Sequence, residues 1–376
     1  IPDNSNIDVK GQLFYGDAFT NSQLSVVANI DNLAHFSHFV GRTLPSQDLR
    51  IQTQLIGSES TLRARSLSLR TGRSQLSGEF SVTDLEHPTV SLQLHAPYLD
   101  AEPWLMEEER PQTNTQASTD KRLIPDVPLG VGFLQGFDAD VDIAVDKLAG
   151  HAIPIRNLQV QASSRNGVLT IGQMSLEDDA QGRLQLSGVL APHSSGVAAA
   201  LTVRGDGINI GFPAVSPDQM ALLPKYDIDS LLFSQGDTTR TLAANSNGYI
   251  SVRGGGGKVA KLSGGFLTND FFTELLGLLN PLHKAKDYTD IECLAVTTVV
   301  EQGKMTGNPA VVVATKKLDI SARAKIDLGT EKLFASFNTI AKQGLGISAS
   351  NAFNPFVGVG GTLAKPAVTI DPKGTL

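Results

Sequence analysis

The stretch LDISARAKIDL, residues 318–328, decides the fold class. Its apolar side chains alternate one by one with polar ones such as Asp319, Arg323 and Lys325. Successive side chains of a β-strand point to opposite faces, so this period of two predicts a strand in a sheet with one apolar and one wetted face. The apolar positions are Leu318, Ile320, Ala322, Ala324, Ile326 and Leu328.

The same alternation recurs along the chain, whereas helical patterns are few. It is clear in FDADVDIAV at residues 137–145, and it returns in LSVVANI (24–30), LRIQTQL (49–55), VSLQLHA (90–96) and LQVQA (158–162). A strand that is apolar on one side only is typical of antiparallel sheets covered on one face. The sequence therefore predicts a mainly β protein.

Two parts of the chain repeat each other. RSQLSGEF at 73–80 resembles RLQLSGVL at 183–190, and residues 62–69 upstream of the first copy match residues 169–176 upstream of the second. Repeats of this kind stack into an extended array. We predict a long twisted, largely antiparallel sheet of repeated hairpin units curled into a groove, with a few short helices.

The apolar face of such a sheet must be buried against something. Because helices are few, three arrangements satisfy this requirement: two sheets that face each other, a closed barrel, or a trough whose lining meets an apolar ligand. The lining is mainly Leu, Val, Ile and Ala, and aromatic residues make up only 6% of the chain. Such a surface suits acyl chains better than planar cofactors or sugars.

Composition suggests five regions. They are a β-repeat region at 1–104, a polar loop at 105–125, a second β-repeat region at 126–233, a polar loop at 234–247, and a C-terminal β region at 248–376. Both loops are rich in Thr, Ser and other polar residues, which disfavours a packed core there. The strands on either side of them can still belong to one continuous sheet.

The best helical pattern follows Thr268, a suitable N-cap residue, and ends at Asn280-Pro281. Shorter helices are predicted near Leu33 and Trp104. The helix after Thr268 has a wide apolar stripe, which fits either a plug at the end of a sheet or a surface-seeking, lipid-gating helix. The stripe consists of Phe271, Phe272, Leu275, Leu276, Leu278 and Leu279.

Charge and cysteine content disfavour several classes of protein. The chain of 376 residues carries 31 Lys and Arg against 38 Asp and Glu, a net charge of −7, whereas a nucleic-acid surface needs a basic excess. The single cysteine, Cys293, lies on a predicted strand and is predicted to be buried. No stretch is apolar enough to cross a membrane. The start at Ile1 suggests a processed protein or an excised piece, and any membrane anchor was left out or never existed.

No motif for catalysis or for a cofactor is complete. The glycine run RGGGGKV at 253–259 lacks the spacing and the Ser or Thr of a phosphate-binding loop. His35 and His38 have no further metal ligands near them, and Asp138, Asp140 and Asp142 lack the Gly and distal Glu of a calcium loop. We expect no catalytic residue, metal or cofactor. A polysaccharide-active enzyme is the least favoured alternative.

Between about residue 248 and residue 371 the chain carries an ordered set of motifs: NGYISVRGGGGKVAKL, the helix FFTELLGLLN, ECLAVTTVVEQGKM, KLDISARAKIDLGTEKLFASF and FNPFVGVGGTLAKPAVTID. In this order of motifs the chain resembles the AsmA-like family of bacterial envelope proteins. The upstream LSG strands and HAPYLDAEPWL are similar to repeats of that family. The resemblance implies an apolar β groove in the periplasm, attached to the inner membrane of a Gram-negative bacterium by an anchor absent from this chain. It also implies phospholipid transport towards the outer membrane or a role in its biogenesis.

The leading hypothesis is therefore a non-enzymatic lipid-handling module that binds phospholipid or another acyl lipid, with envelope proteins as further partners and no nucleic acid. The residues expected to line its groove are Leu158, Val160, Leu169, Ile171, Leu184, Leu186, Leu201, Val203, Ile320, Ala322, Ile326 and Leu328. The alternative is a scaffolding β domain that binds protein partners through its sheet edges and has no lipid conduit.

Overall fold

The computed structural model describes residues 5–12, 20–40, 44–84, 86–105, 122–129, 132, 136–150, 155–209, 223–260, 288–316, 318–342 and 357–370. It confirms the predicted fold class: the chain is mainly β, its twenty described strands belong to one largely antiparallel sheet, and its helices are short. Contacts divide it into two compact units. Unit 1 comprises Ile1–Ala117 and Val131–Asp179, and unit 2 comprises Ser118–Gly130 and Ala180–Leu376.

Unit 1 contains nine described strands. They are β1 (Asn6–Gln12), β2 (Gln23–Ile30), β3 (Leu49–Gly57), β4 (Thr61–Thr71), β5 (Ser74–Thr83), β6 (Thr89–Asp100), β7 (Asp138–Ala149), β8 (Ile155–Arg165) and β9 (Val168–Asp178). Each strand pairs antiparallel with the next, except that β6 and β7 are parallel. A 3-10 turn at Leu33–Phe36 and helix α1 (Ser37–Val40) follow β2, and helix α2 (Glu102–Leu105) follows β6.

Unit 2 contains eleven described strands. They are β10 (Arg183–His193), β11 (Gly196–Ile208), β12 (Tyr226–Gly236), β13 (Asn247–Gly254), β14 (Gly257–Ala260), β15 (Tyr288–Glu301), β16 (Lys304–Thr315), β17 (Leu318–Asp327), β18 (Lys332–Ala341), β19 (Val357–Thr362) and β20 (Lys365–Ile370). Their pairings with one another are antiparallel. Strands β13 and β14 pair with successive parts of β15, so together they act as one interrupted strand.

Tight turns set the register of the hairpins. Asn166 and Gly167 join β8 to β9 with φ of 50° and 78°, and Gln302 and Gly303 join β15 to β16 with φ of 48° and 70°. Two successive residues of positive φ match the right-handed twist of the flanking strands. The register that these turns impose keeps the apolar alternation of neighbouring strands on one face.

Helix α3 (Thr239–Ala244) lies inside segment 234–247, which composition predicted as a polar loop. Thr238 is its N-cap: its side chain accepts a hydrogen bond from the Thr241 amide, and the Thr241 side chain reaches back to the N-cap backbone. This reciprocal capping box stabilises a helix of only six residues. The short helices predicted near Leu33 and Trp104 correspond to α1 with its 3-10 turn and to α2.

The prediction that Cys293 is buried is wrong, because its side chain is exposed. An irregularity in the β15–β16 pairing lies between Ile291 and Cys293. A bulge adds a residue to one strand and reverses the faces that follow it. Cys293 therefore faces the polar side, although strict alternation would have placed it with Ile291.

A cluster of buried apolar side chains lies in unit 2, on β17, β18 and β19. Its members are Leu318, Ile320, Ala335 and Val359, each at most 7% exposed. Half-buried side chains surround the cluster, and they include Val313, Phe337 and Val368. The strand that defines the fold class in the sequence thus supplies part of the core.

Candidate functional site

The strands of unit 2 share a continuous apolar face, which can be followed from one pairing to the next. Leu186 on β10 pairs with Val203 on β11, and Val203 pairs with Ser230 on β12. Ser230 pairs in turn with Ile250 on β13. Directly opposite residues project from the same face of a sheet. The predicted residues Leu184, Leu186, Leu201 and Val203 therefore lie together.

The same face extends to the later strands of unit 2. Val300 on β15 pairs with Met305 on β16, which pairs with Ile326 on β17. Ile320 and Ala322 alternate in step with Ile326, so the three share this face. Leu328 lies one residue beyond the end of β17, where its backbone N–H donates to the Gly303 carbonyl at 2.8 Å.

Unit 1 carries an equivalent face. Leu92 on β6 pairs with Val141 on β7, and Val141 pairs with Ala162 on β8. Ala162 pairs with the predicted residue Ile171 on β9. Its other members include the remaining residues predicted in this unit, Leu158, Val160 and Leu169.

Most of these side chains are only half-buried. Leu184, Leu186, Leu201 and Val203 all keep intermediate exposure, and so do the four predicted residues of unit 1. Every described strand belongs to the one sheet, so among the described residues no separate sheet covers either face. The half-burial leaves apolar area that a ligand could remove from water, at about 25 cal/mol per Å². We call each of these surfaces the apolar face of its unit.

Helix α3 covers one end of the apolar face of unit 2. The Ser234 hydroxyl, on this face of β12, donates to the Leu242 carbonyl at 2.5 Å. A Cβ on Gly236 would meet Thr241 Oγ1 at 2.4 Å, so the helix packs directly on the strand there. Val197 and Val300, 0% and 1% exposed, mark this covered end of the face.

Charged groups gather on the opposite, polar face of each unit. In unit 1, the Arg165 guanidinium donates to both carboxylate oxygens of Asp140 at 2.7 Å, and this carboxylate raises the pKa of Arg165. In unit 2, Lys342 Nζ lies 3.1 Å from an Asp319 carboxylate oxygen. The Tyr249 hydroxyl donates to Asp229 at 3.1 Å, and this hydrogen bond raises the Tyr249 pKa.

Tyr226 supplies a titratable group at the edge of the apolar face of unit 2. Its ring lies against Gly254, where an added Cβ would meet Tyr226 Cε1 at 2.7 Å. Burial raises the pKa of Tyr226 above its ordinary value near 10. A phenol is neutral at physiological pH even at its ordinary pKa, so Tyr226 adds no charge to this face.

Two hydroxyls on the apolar faces are buried without a hydrogen-bond partner among the described residues. They belong to Thr298 in unit 2, 4% exposed, and Ser164 in unit 1, 2% exposed. Ser230 differs, because its hydroxyl donates to the Tyr249 carbonyl at 3.0 Å. A buried hydroxyl that is left unpaired costs free energy.

Thr298→Val is therefore expected to stabilise unit 2. Valine keeps the shape of threonine and removes the unpaired hydroxyl, so the free energy of unfolding should rise by about 1 kcal/mol. Thermal and urea unfolding measure the change. Thr297→Val, at the exposed neighbouring position, is the control and should change stability by less than about 0.5 kcal/mol. A loss of stability in Thr298→Val alone would mean that the hydroxyl does have a partner.

An open pocket of about 330 Å³ lies on unit 1, lined by polar and apolar residues of β6, β7, β8 and β9. Its lining includes Ser91, Gln93, Asp140, Asp142 and Gln161. Asp140 is held by Arg165, and Gln161 Nε2 donates to Asp142 at 3.4 Å. Among the described residues, no group of three or more His, Cys, Asp or Glu could hold a metal ion.

The predicted helix with Phe271, Phe272, Leu275, Leu276, Leu278 and Leu279 lies outside the described residues. Within the described part of the chain, no helix has both the length and the apolar character to cross a bilayer.

The comparison with known protein families, with curated proteins and with solved structures finds no match to this chain. The resemblance to the AsmA-like family thus stays a prediction that rests on ordered sequence motifs.

Sequence reasoning missed the residues that close the covered end of the apolar face of unit 2. Thr238 and Thr241 carry a detectable signal, because Thr-x-x-Thr places two hydroxyls at capping positions. Glu331, which is 1% exposed, has no such signal in the sequence around it. Its carboxylate accepts hydrogen bonds from the amides of Leu123 and Ile124, more than 200 residues earlier in the chain.

Proposed function

We propose that this chain is a non-enzymatic lipid-handling module whose apolar faces bind the acyl chains of phospholipid. The observation that carries the proposal is the continuous, half-buried apolar face of each unit, which no separate sheet covers among the described residues. Leu, Val, Ile and Ala side chains offer acyl chains an apolar surface, while lipid headgroups can stay near water. The driving force is the removal of apolar area from water, and no nucleophile or metal is needed.

The segregation of charge supports this proposal. Ion pairs such as Arg165–Asp140 and Lys342–Asp319 lie on the polar faces, and the Tyr226 phenol carries no charge at physiological pH. An acyl chain on the apolar face would therefore meet few charged groups. With the sequence resemblance, this arrangement leads us to propose a periplasmic location, attachment to the inner membrane in the full-length protein, and a part in moving lipid between membranes.

A stripe of exposed apolar residues favours a second candidate function, that of a scaffold for protein partners. These residues lie on the polar face of unit 2, where side chains of this kind have no core to join. They are Val189, Leu231, Phe233, Tyr249 and Val299, all between 37% and 52% exposed. Exposed apolar patches frequently mark interaction sites. In this alternative the apolar faces would be dry and the stripe would bind a protein.

Native mass spectrometry of gently purified protein, followed by lipid extraction, distinguishes the two functions. The lipid-handling proposal predicts co-purifying phospholipid, and it predicts reloading when the stripped protein is mixed with phosphatidylethanolamine vesicles. A protein that carries no lipid, and that takes up none from vesicles, would overturn it and favour the scaffold. Vesicles of polymerised lipid, from which no lipid molecule can be extracted, are the control for protein that only adheres to the vesicle surface.

A further inference from the structure

The segment of residues 122–129 is bound on the covered end of unit 2, although the strands before and after it in sequence, β6 and β7, belong to unit 1. We call this segment the clasp. Two of its apolar side chains, Leu123 and Val127, are 44% and 49% exposed. The clasp is therefore not held by burial of these side chains, and its attachment must come from other groups.

The main chain of the clasp supplies much of its attachment. At one end, the Glu331 carboxylate accepts hydrogen bonds from the amides of Ile124 at 2.6 Å and Leu123 at 2.9 Å. Glu331 is almost completely buried, so these two donors satisfy a carboxylate that water barely reaches. The Arg122 guanidinium adds a bond to the Gly329 carbonyl at 3.3 Å.

The other end of the clasp is attached to α3. The Thr239 hydroxyl accepts from the Val127 amide at 3.1 Å and donates to the Pro125 carbonyl, and the Thr239 amide donates to the Val127 carbonyl at 3.0 Å. Arg240, also in α3, forms an ion pair with Asp126 at 3.1 Å.

The same helix is what covers the end of the apolar face. Its C-terminal residue Ala244 reaches two neighbouring hairpin turns: a Cβ on Gly303 would meet the Ala244 carbonyl oxygen at 2.3 Å, and a Cβ on Gly329 would meet the Ala244 Cβ at 3.0 Å. A helix of six residues has little stability of its own. Its position therefore depends on its contacts with the rest of unit 2, and those at its two ends are among them.

We infer that the clasp is a releasable fastener that holds α3 over this end of the apolar face and so controls access of acyl lipid to it. The inference rests on the proposed lipid-handling function. Glu331 and Thr239 are positioning residues: they fix the clasp, the clasp fixes α3, and α3 packs on β12 at the end of the face where Val197 and Val300 are buried. Release of the clasp exposes this end of the face without unfolding the strands.

Thr239→Val tests the fastener directly. Valine keeps the shape of the side chain but loses the two hydroxyl hydrogen bonds to the clasp, while the N-cap pair of Thr238 and Thr241 stays intact. Two lost hydrogen bonds should speed amide exchange at Leu242, in α3, and at Asn245, its C-cap, about tenfold or more. Amides in the middle of β17 should exchange at the rate of the unmodified protein.

Thr239→Ser and Glu331→Ala complete the test by hydrogen exchange and mass spectrometry. Serine restores the hydroxyl and should restore slow exchange, whereas Glu331→Ala, which frees the clasp from its other end, should speed exchange in α3 as Thr239→Val does. Faster exchange at Leu123 and Ile124 with unchanged exchange in α3 would overturn the inference, because the clasp would then not hold the helix. If Glu331→Ala does not fold, the comparison of Thr239→Val with Thr239→Ser decides the test on its own.

Lipid uptake separates this inference from the proposed function. The rate at which the stripped protein takes up a fluorescent phosphatidylethanolamine from vesicles should rise several-fold in Thr239→Val. Faster exchange in α3 without lipid uptake by any form of the protein would contradict the proposed function and leave the fastener standing. Faster exchange in α3 with an unchanged rate of uptake would overturn the role of the clasp in access.

Discussion

Replacing Leu186 by aspartate is expected to reduce lipid binding at least about thirtyfold. Leu186 lies in the middle of β10, on the apolar face, paired with Val203. A carboxylate there must stay hydrated, so an acyl chain can lie across it only if that hydration is removed, at a cost of about 2 kcal/mol or more. Binding of fluorescent phosphatidylethanolamine to the stripped protein, measured by titration, gives the change in affinity.

Val189→Asp is the matched control, since Val189 lies on the same strand but on the opposite face, where it is 42% exposed. The aspartate there should leave lipid binding within about twofold of the unmodified protein, because it faces water. Circular dichroism and melting temperature establish that both variants are folded. Should Leu186→Asp fold normally and bind lipid as before, the apolar face would not be the lipid site. The scaffold alternative predicts the reverse, with partner binding lost in Val189→Asp.

Gly303→Ala is expected to destabilise unit 2 by about 2–4 kcal/mol. Gly303 has a φ of 70°, which alanine adopts only under strain, and its added Cβ would lie 2.3 Å from the Ala244 carbonyl oxygen and 2.7 Å from the Ala244 carbonyl carbon. Both atoms are backbone, so they cannot turn aside as a flexible side chain would. Either the β15–β16 turn or α3 must move, and urea unfolding measures the resulting loss of stability.

Gly255→Ala provides the comparison for this substitution. A Cβ at Gly255, between β13 and β14, has no atom within 4 Å, so we expect a change of less than about 0.5 kcal/mol. If the two variants were equally stable, the close contact between the β15–β16 turn and α3 would not exist in solution. That result would also mean that the β15–β16 turn does not help to hold α3 in place.

The fold class was predictable because one physical signal runs through the chain. Alternation such as that of Ile320, Ala322 and Ile326 against Arg323 and Lys325 has only one regular solution, a strand with an apolar and a polar side. The pairing registers then place the predicted residues of each unit on one face. That these residues bind lipid stays a prediction, because alternation identifies an apolar surface and not what covers it.

Other features could not be predicted, for two separate reasons. Cys293 was predicted to be buried because an unpaired cysteine usually is, and nothing in the local residues marks the irregularity beside Ile291 that goes with its place on the polar side. The contact of Glu331 with the clasp spans more than 200 residues and joins a carboxylate to backbone amides. Every non-proline residue carries such an amide, so no side-chain pattern in the sequence identifies the partner.

The parallel pairing of β6 with β7 determines the direction of the repeated strands. The repeat matches residues 62–69 in β4 to residues 169–176 in β9, which are five strands apart. Each antiparallel step reverses the direction of the chain, so five such steps would leave β9 running against β4. Because one of the five steps is parallel, only four reversals occur and both strands run the same way.

A segment with an odd number of strands can therefore be duplicated in tandem here without inverting its copy. An ancestral gene that gained such a segment, crossover included, would have lengthened the sheet while every copy kept its polarity. Growth by whole repeats then requires no new pairing geometry, and the length of the array becomes a quantity on which selection can act directly.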